Sequence, residues 1–178
     1  MGKMMKSKYI IYLSIIFWLI SSGACKKGVP TSPDLSDTPG TPTTLQVNDT
    51  AADFTAKDQN NNDVSLYDYS GNVILFNFSA DWCGPCNDEA PHLETLYNEY
   101  KSRGFHIITL LISGNPNAWA LLHNLSYPVL NDNNETIWDD YGEGAVPLNV
   151  IVDRNFVIRY KKAGFNESEI RVIIEQYL

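Results

Sequence analysis

The passage from Val73 to Tyr100 most constrains how this chain can fold. An apolar run of strand character, Val73 to Phe78, reaches a short polar turn and then Cys83-Gly84-Pro85-Cys86, after which helical spacing begins. The run is nearly continuous rather than alternating, which predicts a strand buried on both faces. Cys86, Ala90, Leu93, Tyr97 and Tyr100 then recur at intervals of four and three, giving one apolar helical face that ends at Arg103-Gly104. Pro91 falls inside that helix, where a kink is expected. Phe105 to Ile112 is a second apolar run, and strand, helix, strand in this order predicts parallel pairing through a right-handed crossover. The fold class is α/β.

Two thiols at a strand-to-helix junction suit reversible dithiol/disulfide exchange. At a helix N-terminus the unpaired N–H groups and the positive end of the macrodipole favour a thiolate, which makes Cys83 the nucleophile. Cys86 lies one helical turn on and is placed to resolve a mixed disulfide at Cys83. Two blander readings compete. Half of a zinc site would have the same spacing, but no second Cys pair or paired His supplies the remaining ligands. A purely structural bridge is the other, although so small a loop restrains the unfolded chain little. Exchange needs only the two thiols, so no cofactor and no metal is expected.

The third cysteine, Cys25, needs a separate explanation, and the N-terminus offers one. Lys3, Lys6 and Lys8 precede an apolar core, Tyr9 to Ile20, and then Ser21-Ser22-Gly23-Ala24 leads to Cys25. This reads as an export signal over residues 1–24. Its apolar core of 12 residues rises about 1.5 Å per residue, too short for a bilayer core of roughly 30 Å. The small residues before Cys25 resemble a bacterial lipobox, with Ser22 where an aliphatic residue is usual. Lipidation at Cys25 and cleavage to a soluble exported protein therefore both stand. Residues 25–45, with Pro30, Pro33, Pro39 and Pro42 among Thr, Ser, Gly and Asp, read as a tether, and 46–178 as a single domain. Net charge is −8; without the three leader lysines, 10 basic residues face 21 acidic ones, or −11, which argues against nucleic acid as a partner.

Within the domain, Ala52 to Ala56 and Val64 to Leu66 flank the turn-forming cluster Asp58 to Asp63 and predict a β-hairpin, followed by a turn at Tyr67 to Asn72. Further on, a helix is expected over Asn117 to Leu125, an extended piece over Tyr127 to Leu130, and a helix capped by Asp132-Asn133-Asn134 running to Tyr141. Leu148 to Val152 and Phe156 to Tyr160 read as an antiparallel pair, and Glu167 to Leu178 as a closing helix burying Ile170, Ile173, Ile174 and Tyr177. His92, His106 and His123 show no ligand spacing and read as surface or boundary residues; Tyr67, Tyr69, Tyr97 and Tyr100 read as core or rim aromatics.

Asp81-Trp82-Cys83-Gly84-Pro85-Cys86 resembles the thioredoxin active-site motif, and Asn87-Asp88-Glu89-Ala90-Pro91 resembles its extension in the TlpA/ResA-like thiol-disulfide oxidoreductases. Ala52-Asp53-Phe54-Thr55 and Val146-Pro147 carry the resemblance over residues 47 to 178. It implies a thioredoxin-like fold, a central mixed β-sheet flanked by helices, with an N-terminal β-hairpin and an inserted helix-strand element. It also implies a cis Pro147 facing the disulfide and, with Val146 and Trp82, forming the surface that docks substrate. The implied partners are cysteine-containing exported proteins, apocytochrome c among them, a membrane thiol-disulfide electron donor, and the membrane itself through a lipid on Cys25. Asn77 stands where thioredoxin has a proton-relaying Asp, so Glu89 is the better candidate for that task, although a simple helix-dipole role also fits it. Ser79 replaces a frequent Trp and removes apolar packing, and Leu148 replaces the usual Thr. Two other functions remain: a peroxide-reducing redoxin, whose Pro-x-x-x-Thr-x-x-Cys pattern is absent because Phe76 and Ser79 hold those positions, and a non-catalytic surface-binding lipoprotein using the fold as a scaffold.

Overall fold

The computed structural model describes residues 44–178. The signal reading over 1–24, Cys25 and all but the end of the 25–45 tether lie outside the described residues. None of the described helices is long and apolar enough to cross a membrane.

The first two strands, β1 (Thr55–Lys57) and β2 (Asp63–Ser65), pair antiparallel as the expected hairpin. Asp58 closes its turn by accepting from the Asn60 and Asn62 N–H groups, each at 2.8 Å. What read as a plain turn afterwards is a 3₁₀ helix, Leu66–Tyr69, in which Ser65 and Asp68 cap each other's backbone N–H. That reciprocal pairing is what tightens the segment into helix.

The main sheet has the order β5-β4-β3-β6-β7. β3 (Val73–Ala80) lies at its centre, parallel to β4 (Phe105–Ser113) and antiparallel to β6 (Leu148–Val152). β4 pairs parallel with β5 (Val129–Asn131), and β6 antiparallel with β7 (Ile158–Ala163). The expected mixed sheet is present, and all eight residues of β3 are buried. Their alternation divides the core. Val73 and Leu75 face helix α1 (Gly84–Tyr100) and helix α4 (Glu167–Tyr177), meeting Leu93, Leu96, Ile170 and Ile174. Ile74, Phe76 and Phe78 face the other way, onto Phe54, Leu66 and Tyr141. There the rings of Phe76 and Tyr141 meet edge to face at 5.0 Å, and Phe54 and Phe76 at 5.5 Å. Each such fully buried side chain contributes about 2 kcal/mol.

Several boundaries differ from expectation. α1 runs unbroken through Pro91, and its buried stripe takes Leu96, with Tyr97 only partly covered, because α4 packs beside it. Helix α2 (Pro116–Leu122) is capped by Asn115 and ends before Leu125, where Asn124 turns left-handed at φ 51°. Helix α3 is only Trp138–Tyr141. Asp132 does cap it, but across a loop, accepting from the Ile137 and Trp138 N–H groups at 3.0 and 2.9 Å. The last strand starts at Ile158 rather than Phe156, since Asp153 holds the turn by accepting from the Asn155 and Val157 N–H groups. In α4, Ile170 and Ile174 are buried, while Ile173 and Tyr177 are half-covered.

At the sheet's edge the Gln59 side chain donates to the Tyr127 carbonyl (3.2 Å) and accepts from the Val129 N–H (2.9 Å). At the start of the described chain, Leu45 donates to the Asp140 carbonyl and accepts from Lys161 Nζ, which also pairs with Glu143 at 2.9 Å.

Candidate active site

The C-terminal end of β3 delivers the cysteines. Cys83 is the N-cap of α1, and its Sγ accepts the Cys86 N–H at 3.2 Å, so the sulfur satisfies one of the helix's orphan donors. The two cysteines form a disulfide, S–S 2.12 Å, and both are nearly covered. An N-cap position is where a thiolate released from this bond would be most stabilised.

The turn before Cys83 is tied on both sides. Asp81 Oδ1 accepts from the Trp82 N–H and the Ser113 hydroxyl, while Asn87 Nδ2 donates to the Cys83 carbonyl (2.8 Å) and the Asp81 carbonyl (3.2 Å). Gly114, at φ 114°, presses against Asp81; a Cβ there would fall 2.9 Å from the Asp81 side chain. His123 Nε2 lies 3.2 Å from Asn87 Oδ1, and its ring packs on Trp119 at 4.4 Å. Burial pushes the His123 pKa down, favouring the neutral ring, and neutral with Nε2–H it donates to Asn87. The sequence marked His123 as ordinary boundary and Asn87 only as part of a motif; nothing in their spacing shows that α2 folds one onto the other.

The Val146–Pro147 peptide is cis, and the Val146 carbonyl oxygen lies 3.7 Å from Cys83 Sγ. Trp82 is 70 % exposed beside it. Between them runs a groove of about 300 Å³ lined by Trp82, Ile112, Trp138, Gly144, Ala145 and Val146. The structure therefore gathers Trp82, Cys83, Val146 and Pro147 at one end of the sheet.

Glu89 lies on the inner side of α1, one turn beyond Cys86. It is 1 % exposed and neither carboxylate oxygen has a hydrogen-bond partner. Burial pushes its pKa up to about 7, with the nearby Asn149 amide tempering the rise although no hydrogen bond joins the two. Since α1 begins at Gly84, Glu89 stands past the first turn, the turn on which the helix dipole acts most strongly. Below it, Asn77 pairs in register with Thr109 and Asn149; Asn77 accepts from the Thr109 hydroxyl at 2.6 Å and donates to Ser79 at 2.8 Å. Ser79 thus completes a polar row rather than merely removing packing. Asn149, whose Oδ1 is also without a donor, was missed from the sequence because it reads as a lone polar residue in an apolar strand. No cluster of three or more metal-ligating side chains is found among the described residues.

This arrangement can exchange disulfides: a helix-capping sulfur just under the groove, a second beneath it, and a buried acid that titrates near neutrality. Comparison with known proteins places it. A model of the AhpC/TSA family matches residues 47–161. The thiol-disulfide oxidoreductase ResA of Geobacillus kaustophilus (strain HTA426) is 31 % identical over 131 residues, covering 71 % of this chain and 75 % of the relative. A structure from Chlorobium tepidum, assigned to the thiol:disulfide interchange proteins DsbE, is 25 % identical with a TM-score of 0.67, covering 75 % of this chain and 96 % of that one. The thioredoxin domain of a thiol-disulfide oxidoreductase from Bacteroides vulgatus, 22 % identical with a TM-score of 0.66 over 74 % of this chain and 99 % of that one, shares the fold. With sheet order, cis proline and relatives in agreement, the chain belongs to the AhpC/TSA family as a TlpA/ResA-like thiol-disulfide oxidoreductase of the thioredoxin superfamily.

Proposed function

We propose that the protein works outside the cytoplasm and reduces disulfides of exported, cysteine-containing proteins through Cys83 and Cys86. In the dithiol form, the Cys83 thiolate attacks one sulfur of the client disulfide; that S–S bond breaks, and the client's other sulfur leaves as a thiolate and takes up a proton. Cys86, giving its proton to Glu89, then attacks Cys83 Sγ in the mixed disulfide. The client's second sulfur leaves reduced, and Cys83–Cys86 closes. Two electrons have passed from the protein to the client, and a membrane dithiol donor must return them. Trp82, Val146 and Pro147 dock the client beside Cys83.

The observation that carries this reading is the pairing of a helix-capping disulfide with a buried, partnerless Glu89 one turn further on. A carboxyl titrating near 7 is matched to accepting and releasing protons at neutral pH. The names of the similar proteins support thiol-disulfide exchange; the reductive direction and apocytochrome c as the client class rest on the resemblance to the TlpA/ResA-like oxidoreductases. The leader-like residues 1–24 and the lipobox-like run before Cys25 support export with a lipid anchor on Cys25, residues 25–45 serving as tether. The peroxide-reducing alternative lacks its threonine, Ser79 being buried and bonded to Asn77.

Turnover of insulin disulfides tests the proposal. Cys83→Ala should abolish it, and Cys86→Ala should accumulate mixed disulfides with client proteins in the native cell. Peroxide consumption without disulfide reduction would instead identify a redoxin, and neither activity would leave a binding scaffold.

A further inference from the structure

The groove beside Cys83 has one wall that neither the cysteine motif nor the proline loop supplies. Trp138, from the short helix α3, lines it together with Trp82. Its indole meets Phe78 edge to face at 5.2 Å, and its backbone N–H is held by Asp132. Gly142 closes the remaining side: its N–H donates to the Trp138 carbonyl at 2.6 Å, and a Cβ at this position would clash with the indole ring. Gly142 has ordinary extended dihedrals, so the demand for glycine comes from the ring alone. Trp138 is thus packed in one orientation, whereas Trp82 is largely free.

None of the six residues lining this groove carries a charge. The sulfur under attack must reach Cys83, whose neighbour on the groove side is the Val146 carbonyl. A residue flanking the client's cysteine is therefore laid onto Trp138, Trp82 and Ile112. A charged side chain there would give up hydration with no partner in return, while an aromatic or large aliphatic one would bury apolar area.

Building on the exchange activity proposed above, we propose that this groove selects clients carrying an aromatic or large apolar residue beside the reactive half-cystine, and that Trp138, positioned by Gly142, sets the preference. The full chain, reduced in advance, is mixed in single turnover with two synthetic disulfide peptides differing only in Phe or Asp on either side of the cysteine. Each rate is divided by the same protein's rate with hydroxyethyl disulfide. The wild type should prefer the Phe peptide about tenfold. Trp138→Ala and Gly142→Ala should each cut that ratio to about threefold or less, and Trp138→Phe should keep most of it. A wild-type ratio near one, or a ratio untouched in both Trp138→Ala and Gly142→Ala, overturns the assignment. Inability to reduce hydroxyethyl disulfide at all would instead remove the exchange activity on which it rests.

Discussion

Two carboxylates in this protein are equally hidden and differently used. Glu89 and Asp132 are each 1 % exposed. Asp132 accepts two backbone N–H bonds and starts helix α3; Glu89 accepts none. Burial raises both pKa values, and for Asp132 it outweighs the two N–H bonds, with the charges of Glu135 and Asp139 adding to the rise. Burial alone therefore does not mark a functional acid. What separates the two is whether the surroundings were built to hold the charge, and around Glu89 they were not.

Removing each group should sharpen that contrast. Asp132→Ala strands two N–H groups and should cost about 4 kcal/mol in denaturant unfolding at neutral pH. Glu89→Gln should act with the opposite sign. Below pH 4.5 Glu89 is neutral in folded and unfolded chains alike, and no charge has to be buried. Between 4.5 and about 7 the unfolded chain releases the proton while the native state keeps it, so wild-type stability falls, and above about 7 the penalty is constant. The advantage of Glu89→Gln should grow from near zero at pH 4 to about 3 kcal/mol at pH 8, with the disulfide intact. A flat difference across that range would mean that Glu89 is solvated. Lys161 offers a third case, a cation with its side chain 1 % exposed but satisfied by Glu143 and the Leu45 carbonyl. Lys161→Ala should cost about 2 kcal/mol. The exposed Arg103–Glu175 pair, well formed at 2.8 Å, marks the bottom of the scale, and Glu175→Ala should leave Tm unchanged within error.

The parts of the fold legible in the sequence were those in which one segment carries its own signal. β3 announced two-sided burial and the cysteines announced a helix start, while the Val146-Pro147 loop facing them was legible only through the resemblance to a known family. The parts that failed depend on distant chain. Leu96 is buried because α4 lies against it, and α2 stops early because Asn124 takes a conformation that spacing does not reveal. Glu89 could be placed on α1 from its number alone, but its lack of partners is a property of the wall opposite, where Asn149 arrives on β6. Trp138 reached the groove unnoticed because a four-residue helix has no period to read, and its position is set by Asp132 and Gly142 together.

The amide of Gln59 has a bearing on how molecules of this protein meet. By matching one donor and one acceptor of the outermost strand segment, it stands in for the next strand that an open sheet invites. A second chain approaching that margin finds both groups already engaged and must displace a side chain before any ladder can form. The sheet ends where it does by chemistry as well as by length, which disfavours edge-to-edge growth when many copies are crowded together.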